Sequence, residues 1–149
     1  MTLDMTARRA GLDFEIETAR GGLGRVTSRF LRSGGTLARG VTSYEFTRSR
    51  SATSLRSGTG AVTAIRTGIG AWTIDAPGGP YRLRQGRGLA PSELTSPDGA
   101  TVATVVRSGV ARRSLTVSSE SVGEPVALLA LLTVLARRRR KARVVSAVR

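Results

Sequence analysis

The stretch that decides the fold is Glu124-Pro125-Val126-Ala127-Leu128-Leu129-Ala130-Leu131-Leu132-Thr133-Val134-Leu135-Ala136, which runs directly into Arg137-Arg138-Arg139-Arg140-Lys141. Proline suits the first turn of a helix, because an N–H there has no acceptor within the helix. The residues from Val126 to Ala136 are uncharged and apolar on every side of a helical wheel, so the helix must be surrounded by protein or lipid. We predict a helix over about residues 125–141. Its structural core residues are Leu128, Leu129, Leu131, Leu132 and Leu135.

The length of this apolar run favours a buried helix over a membrane span. A bilayer core of about 30 Å needs roughly 20 apolar residues, whereas this run has about half that number. Pro125 and Glu124 precede it, and the arginines follow it directly. Insertion of the helix into a membrane remains open as an alternative.

Most of the chain before the helix has the pattern of short β-strands. Apolar and acidic residues alternate from Leu12 to Glu17, as they do in a half-buried strand. The turn Pro77-Gly78-Gly79-Pro80 predicts a hairpin that joins the strand around Trp72 to the strand that begins at Tyr81. We predict a loop over Gly21 to Gly24 and a weaker strand from Val26 to Leu31. The fold class is therefore mainly β: an antiparallel β-barrel or barrel-like sheet of about 8–12 short strands that encloses one hydrophobic C-terminal α-helix.

Composition limits the kinds of chemistry that are available. The chain has 24 basic residues against 10 acidic ones, a net charge of +14, and all of the basic residues except Lys141 are arginine. This charge favours anionic partners such as phospholipid or nucleic acid. Cysteine and histidine are both absent, so disulfides, thiolate nucleophiles and Cys/His metal clusters are excluded.

We predict one domain and no catalytic, cofactor-binding or metal site. The boundaries are a flexible N-terminus over residues 1–11, the barrel over residues 12–143 and a tail over residues 144–149. Met1 to Arg9 lacks the apolar core of a secretory signal, so the expected location is cytoplasmic. Asp13, Glu15 and Glu17 alternate with apolar residues, and a solvated strand face explains them better than a carboxylate pair or divalent-metal site. The enzyme hypothesis is therefore weak, and no cofactor is expected.

Three places in the sequence resemble the tubby C-terminal-like superfamily, which includes LURP-one-related proteins and phospholipid scramblases. They are the hairpin from Trp72 to Leu83, the step Ser96-Pro97-Asp98-Gly99 into an apolar strand, and Glu124-Pro125 before the Leu/Ala helix. The resemblance implies a β-barrel around a central hydrophobic helix. Members of the family usually have twelve strands, and this shorter chain is expected to lack one or two. No local motif matches the phosphoinositide-contacting cations of tubby domains, and no scramblase-type cysteine run or calcium-ligand cluster is present.

The basic residues that follow Ala136 supply the candidate binding site. In one interpretation they only end the helix and keep it soluble. In the other they contact anionic lipid or the phosphates of nucleic acid. The aromatic residues fall on predicted strands and are assigned to the core, which makes nucleic acid the less favoured partner. A further set, Arg48, Arg50, Arg56 and Arg66, could form a surface stripe with the tail. The candidate lipid or phosphate contacts are Arg137, Arg138, Arg139, Arg140, Lys141 and Arg143.

The hypothesis from sequence is a non-enzymatic binding or structural module. It would associate with anionic phospholipid, peripherally, at the inner face of the cytoplasmic membrane. The first alternative is a small basic protein associated with nucleic acid. The second alternative is a membrane-inserted protein that uses the helix over residues 126–136.

Overall fold

The structure is a computed structural model of one chain. It describes residues 3–10, 13–18, 21–39, 42–49, 51–58, 60–87, 90–108, 114–119 and 122–148, with the side chains of the last helix as far as Ala136. Twelve strands and two helices lie in this part of the chain. Their bounds are β1 Leu3–Ala10, β2 Asp13–Thr18, β3 Gly21–Val26, α1 Ser28–Ser33, β4 Gly35–Arg39, β5 Thr42–Arg48, β6 Ala52–Ser57, β7 Gly60–Gly68, β8 Ala71–Asp75, β9 Tyr81–Arg84, β10 Ser92–Thr95, β11 Thr101–Ser108, β12 Ser114–Ser119 and α2 Glu124–Val148.

All twelve strands form one antiparallel sheet that is rolled into a nearly closed barrel. Strands that follow each other in sequence are neighbours, except for β3 and β4. The first strand pairs with the last, with Met5 opposite Val117. The sheet edges are β3 and β4, and they approach each other closely, because a Cβ placed on Gly24 would lie 3.2 Å from Cδ2 of Leu37. The predicted fold class is confirmed.

The core consists of the inward-facing side chains of the strands and the first half of α2. Along β6, β8, β9 and β10 every second residue is buried, as expected for strands with one face on a core. Every residue from Val126 to Ala136 is buried, and Leu128 to Leu132 have no exposed surface. The helix therefore fills the barrel, as its uniformly apolar sequence predicts.

The antiparallel order gives the barrel two distinct ends. The even-numbered strands finish at the end where α2 begins, which we call the entry end. The odd-numbered strands finish at the opposite end, towards which α2 runs, and which we call the exit end. Helix α1 connects the end of β3 to the start of β4, so it lies at the exit end, and it packs against α2 there.

Helix α1 covers the gap between the two sheet edges. It begins at the N-cap Thr27, whose hydroxyl oxygen accepts a hydrogen bond from the Phe30 N–H at 3.0 Å. The Phe30 ring stacks on Phe46 with centroids 5.1 Å apart. Gly34 ends the helix with φ of 92°, and a side chain there would collide with the Phe46 carbonyl oxygen. The close approach of backbone and rings thus fixes α1 on the seam.

Four boundaries predicted from sequence are wrong. β1 occupies residues that were expected to be flexible, because its alternating residues pair with both β2 and β12. β3 replaces the loop expected at Gly21 to Gly24, and α1 replaces the weak strand from Val26 to Leu31. Helix α2 continues to Val148, past residue 141 and through most of the expected tail, since its Arg- and Ala-containing second half has good helix formers. The described residues form twelve strands, so the expectation of one or two fewer is also wrong.

Candidate functional site

Arginine recurs at one end of the barrel. Each of the six odd-numbered strands, which finish at the exit end, has an arginine among its last three residues. The even-numbered strands, which finish at the entry end, show no such rule. Among their last three residues, β2, β8 and β10 have an acid, β4 and β6 have an arginine, and β12 has neither. The exit-end arginines are Arg8 and Arg9 on β1, Arg25 on β3, Arg48 on β5, Arg66 on β7, Arg84 on β9 and Arg107 on β11.

Four of these arginines occupy the rim of the barrel mouth. Each lies two residues beyond the last buried residue of its strand. Because side chains alternate between the two faces of a strand, each of these arginines is on the inner face but beyond the packed core. Three of the four are exposed, and Arg48 is partly buried. The pairs of last buried residue and rim arginine are Ala7 and Arg9, Phe46 and Arg48, Ala64 and Arg66, and Val105 and Arg107.

Helix α1 adds two more exposed arginines, Arg29 and Arg32, to the same end. The helix is held to the rim by Arg48, whose Nη1 donates to the Leu31 carbonyl oxygen at 2.6 Å. Arg32 lies in the last turn, where a cation also interacts favourably with the helix dipole. We call Arg9, Arg29, Arg32, Arg48, Arg66, Arg84 and Arg107 together the arginine crown.

Two exit-end arginines form ion pairs with carboxylates. Arg8 pairs with Glu15 and Glu17, at 3.4 and 3.0 Å, and Arg25 pairs with Glu15 at 3.6 Å. These pairs lie on the outer wall of β1, β2 and β3. Glu15 and Glu17 are thus used by a solvated strand face, as the alternation predicts.

The cations predicted to form the site continue in the direction of the crown. The backbone of α2 is helical through Arg137, Arg138, Arg139, Arg140, Lys141 and Arg143, which follow the last buried residue, Ala136, towards the exit end. Their side chains lie outside the described residues. The predicted stripe is divided: Arg48 and Arg66 lie at the exit end, Arg56 lies near the entry end, and Arg50 is outside the described residues.

A shallow groove of about 470 Å³ lies on the outer wall of β8, β9 and β10. Arg82 and Arg84 line it with Thr73, Thr95 and Glu93. Arg84 stands directly opposite Glu93 in the register, so the groove presents both signs of charge beside the crown. Its mixed lining does not select an anion by charge alone.

Acidic residues lie at the entry end. Asp98, in the turn between β10 and β11, accepts hydrogen bonds from the Ser96 hydroxyl and the Ala100 N–H. The Ser96 hydroxyl first, and then the Ala100 N–H, hold the pKa of this carboxyl below its ordinary value. Asp98 therefore supports its own turn. Glu124, in the first turn of α2, accepts a hydrogen bond from the buried Tyr44 hydroxyl at 3.1 Å.

In the described ranges, no group of three His, Cys, Asp or Glu side chains is arranged to hold a metal ion. No helix within those ranges has an apolar stretch long enough to cross a bilayer.

No family model, curated protein or solved structure gives a significant match to the chain. The geometry of the described residues is therefore the basis for a functional assignment.

Proposed function

We propose that this protein is a non-enzymatic module that binds anionic phospholipid bilayers peripherally through the exit end of the barrel. The observation that carries the proposal is that every strand that finishes at the exit end has an arginine among its last three residues. The strands that finish at the entry end follow no such rule. The proposed location is the cytoplasmic face of the membrane, with no cofactor required.

The proposed binding energy comes from many weak contributions. A basic residue near an anionic membrane surface contributes about 1 kcal/mol, and this falls off within a Debye length of about 8–10 Å. Arginines spread evenly over the barrel could not all lie within that distance of one surface. Those of the crown share one end, so they can act together, and the cations of α2 after Ala136 extend the same end.

The charge of the opposite end favours a single orientation. Exposed or half-exposed carboxylates at the entry end would be repelled by an anionic surface. A bilayer would therefore attract the crown and turn the entry end towards solvent. The residues concerned are Asp4, Asp75, Asp98 and Glu124.

Lipid is favoured over nucleic acid by the placement of the aromatic residues. Binding of single strands depends on aromatic side chains that stack on bases. Here Phe30, Tyr44, Phe46, Trp72 and Tyr81 are buried, and Phe14 packs against the core, so none of the six is presented beside the arginines. The helix over residues 126–136 faces the barrel wall, which leaves the crown rather than this helix as the surface for lipid.

We further propose that the chain is a divergent relative of the tubby and LURP-one proteins. The support is the twelve-stranded barrel around a hydrophobic helix that the resemblance implies. Because one fold can host unrelated functions, this kinship adds nothing to the lipid proposal, which depends on the charges of the exit end.

The proposal is tested by flotation of purified, nuclease-treated protein. Vesicles of phosphatidylcholine alone are compared with an equal mixture of phosphatidylcholine and phosphatidylserine, each at low and high salt. We expect flotation only with the anionic vesicles, and its loss at high salt, because exposed charges are screened. Absence of flotation under every condition would overturn the proposal. Flotation that ignores salt and phosphatidylserine would contradict the role of the arginines.

A further inference from the structure

An isoleucine projects from the tip of the hairpin between β7 and β8. Ile69 lies between Gly68 and Gly70, and 89% of its surface is exposed. Gly70 has φ of 65°, a left-handed conformation that glycine adopts without steric cost, so the chain reverses tightly and the side chain of Ile69 is left without packing partners. Leaving so large an apolar side chain in water is unfavourable by about 2 kcal/mol.

The hairpin tip belongs to the arginine crown. β7 finishes and β8 begins at the exit end, so the tip lies there. Arg66 precedes it by three residues, and Arg84 is paired with Ala71 on the following strand. The Gln85 N–H donates to the Gly70 carbonyl oxygen at 2.8 Å, which ties the tip to the chain that leaves β9. Ile69 is thus held in a defined position with an arginine on each side.

The other exposed large apolar side chains also lie towards this end. Among the described residues they are Ile65 and Val106, with 48% and 37% of their surface exposed. Ile65 precedes Arg66 on β7, and Val106 precedes Arg107 on β11. Both lie in the half of the strand nearer the exit end. Exposed apolar groups and the arginine crown therefore share one end of the molecule, and none of these three apolar residues lies at the entry end.

An anionic bilayer can interact with both the arginines and the exposed apolar side chains. Anionic lipid headgroups attract the arginines, and the boundary between headgroups and acyl chains, a few ångströms deeper, accepts an apolar side chain. A nucleic acid or a free phosphate would offer charge but no apolar phase. We infer that the Gly68-Ile69-Gly70 tip inserts into the headgroup and acyl boundary of an anionic bilayer. This inference rests on the proposed function and adds the depth and orientation of binding.

The test uses the absence of cysteine from the chain. Ile69→Cys gives one attachment point for an environment-sensitive nitrobenzoxadiazole dye at the tip. Ala100→Cys, in the exposed turn between β10 and β11 at the entry end, is the matched control. Each labelled protein is mixed with the phosphatidylserine vesicles, with and without nitroxide-labelled lipid, and flotation is measured on the same samples. We expect a blue shift and quenching by nitroxide lipid at position 69, and neither effect at position 100.

The possible outcomes separate the two proposals. Flotation without a shift or quenching at position 69 would overturn insertion and leave the proposed function standing. Equal quenching at positions 69 and 100 would overturn the orientation. Absence of flotation would overturn the proposed function and the insertion together.

Unlabelled variants give a second readout. Ile69→Ser should weaken partitioning to the anionic vesicles about tenfold, because the buried apolar area is lost. Ile69→Leu, which keeps that area, should bind within about twofold of the wild type. Both substitutions lie at an exposed tip, so neither should change the melting temperature. Equal partitioning of Ile69→Ser and the wild type would contradict insertion.

Discussion

Gly34 is the residue on which the cover of the barrel seam depends. It ends α1 in a backbone conformation that side chains rarely adopt, and any Cβ there would collide with the Phe46 carbonyl oxygen. We expect Gly34→Ala to lower the free energy of unfolding by more than about 2 kcal/mol, because strain and steric overlap add. Denaturant titration measures this loss.

Gly58→Ala is the control for that substitution. Gly58 lies in the turn between β6 and β7, where a Cβ would meet nothing within 4 Å. Its free energy of unfolding should stay within about 0.5 kcal/mol of the wild type. Equal effects of the two substitutions would show that α1 does not depend on this close approach.

The filling of the barrel by α2 can be tested at the scale of the element. Leu131, in the middle of the helix, has no exposed surface. Leu131→Ala should cost about 2–5 kcal/mol of unfolding free energy, because it leaves a cavity inside the barrel. Leu131→Met, which keeps the volume, should cost less than about 1.5 kcal/mol. If Leu131→Ala were as stable as Leu131→Met, the helix could not be packed as described.

Some elements were predictable because their signals are local. α2 is apolar on every side, and the Pro77 to Pro80 turn marks the hairpin of β8 and β9, so the sequence indicates both without tertiary information. β1 and β3 have no such signal. β1 takes its partner from β12, more than a hundred residues away, and glycine-rich β3 is acceptable as a strand because Gly24 lets Leu37 approach closely.

The arginine crown was not predictable, because it too depends on tertiary structure. The sequence identifies the cations of α2 that follow Ala136, because they are contiguous. The strand-end arginines become a group only when the direction of every strand is known. With β1 and β3 assigned to a flexible terminus and a loop, the alternation of strand directions could not be followed along the chain. The sequence signal for four of them is an arginine two residues after the last apolar inward position of β1, β5, β7 and β11.

At the scale of the whole molecule the barrel is electrically polarised. The arginine crown, with Asp13 and Glu93, lies at the mouth towards which the helix runs. Asp4, Asp75, Asp98 and Glu124, with Arg56 and Arg82, lie towards the end where it begins. A net charge of +14 spread evenly would attract any polyanion, whereas this distribution favours one face.

The measurement that most directly tests this account compares two charge-matched double variants by flotation with phosphatidylserine vesicles at low salt. Arg66→Gln with Arg107→Gln removes two positive charges from the crown. Arg56→Gln with Arg82→Gln removes the same charge from exposed positions on the barrel wall nearer the entry end. We expect the crown variant to partition roughly ten- to thirtyfold more weakly than the wild type, and the wall variant to change less than about threefold. Equal loss in both variants would mean that only net charge matters, and it would contradict a binding face at the exit end.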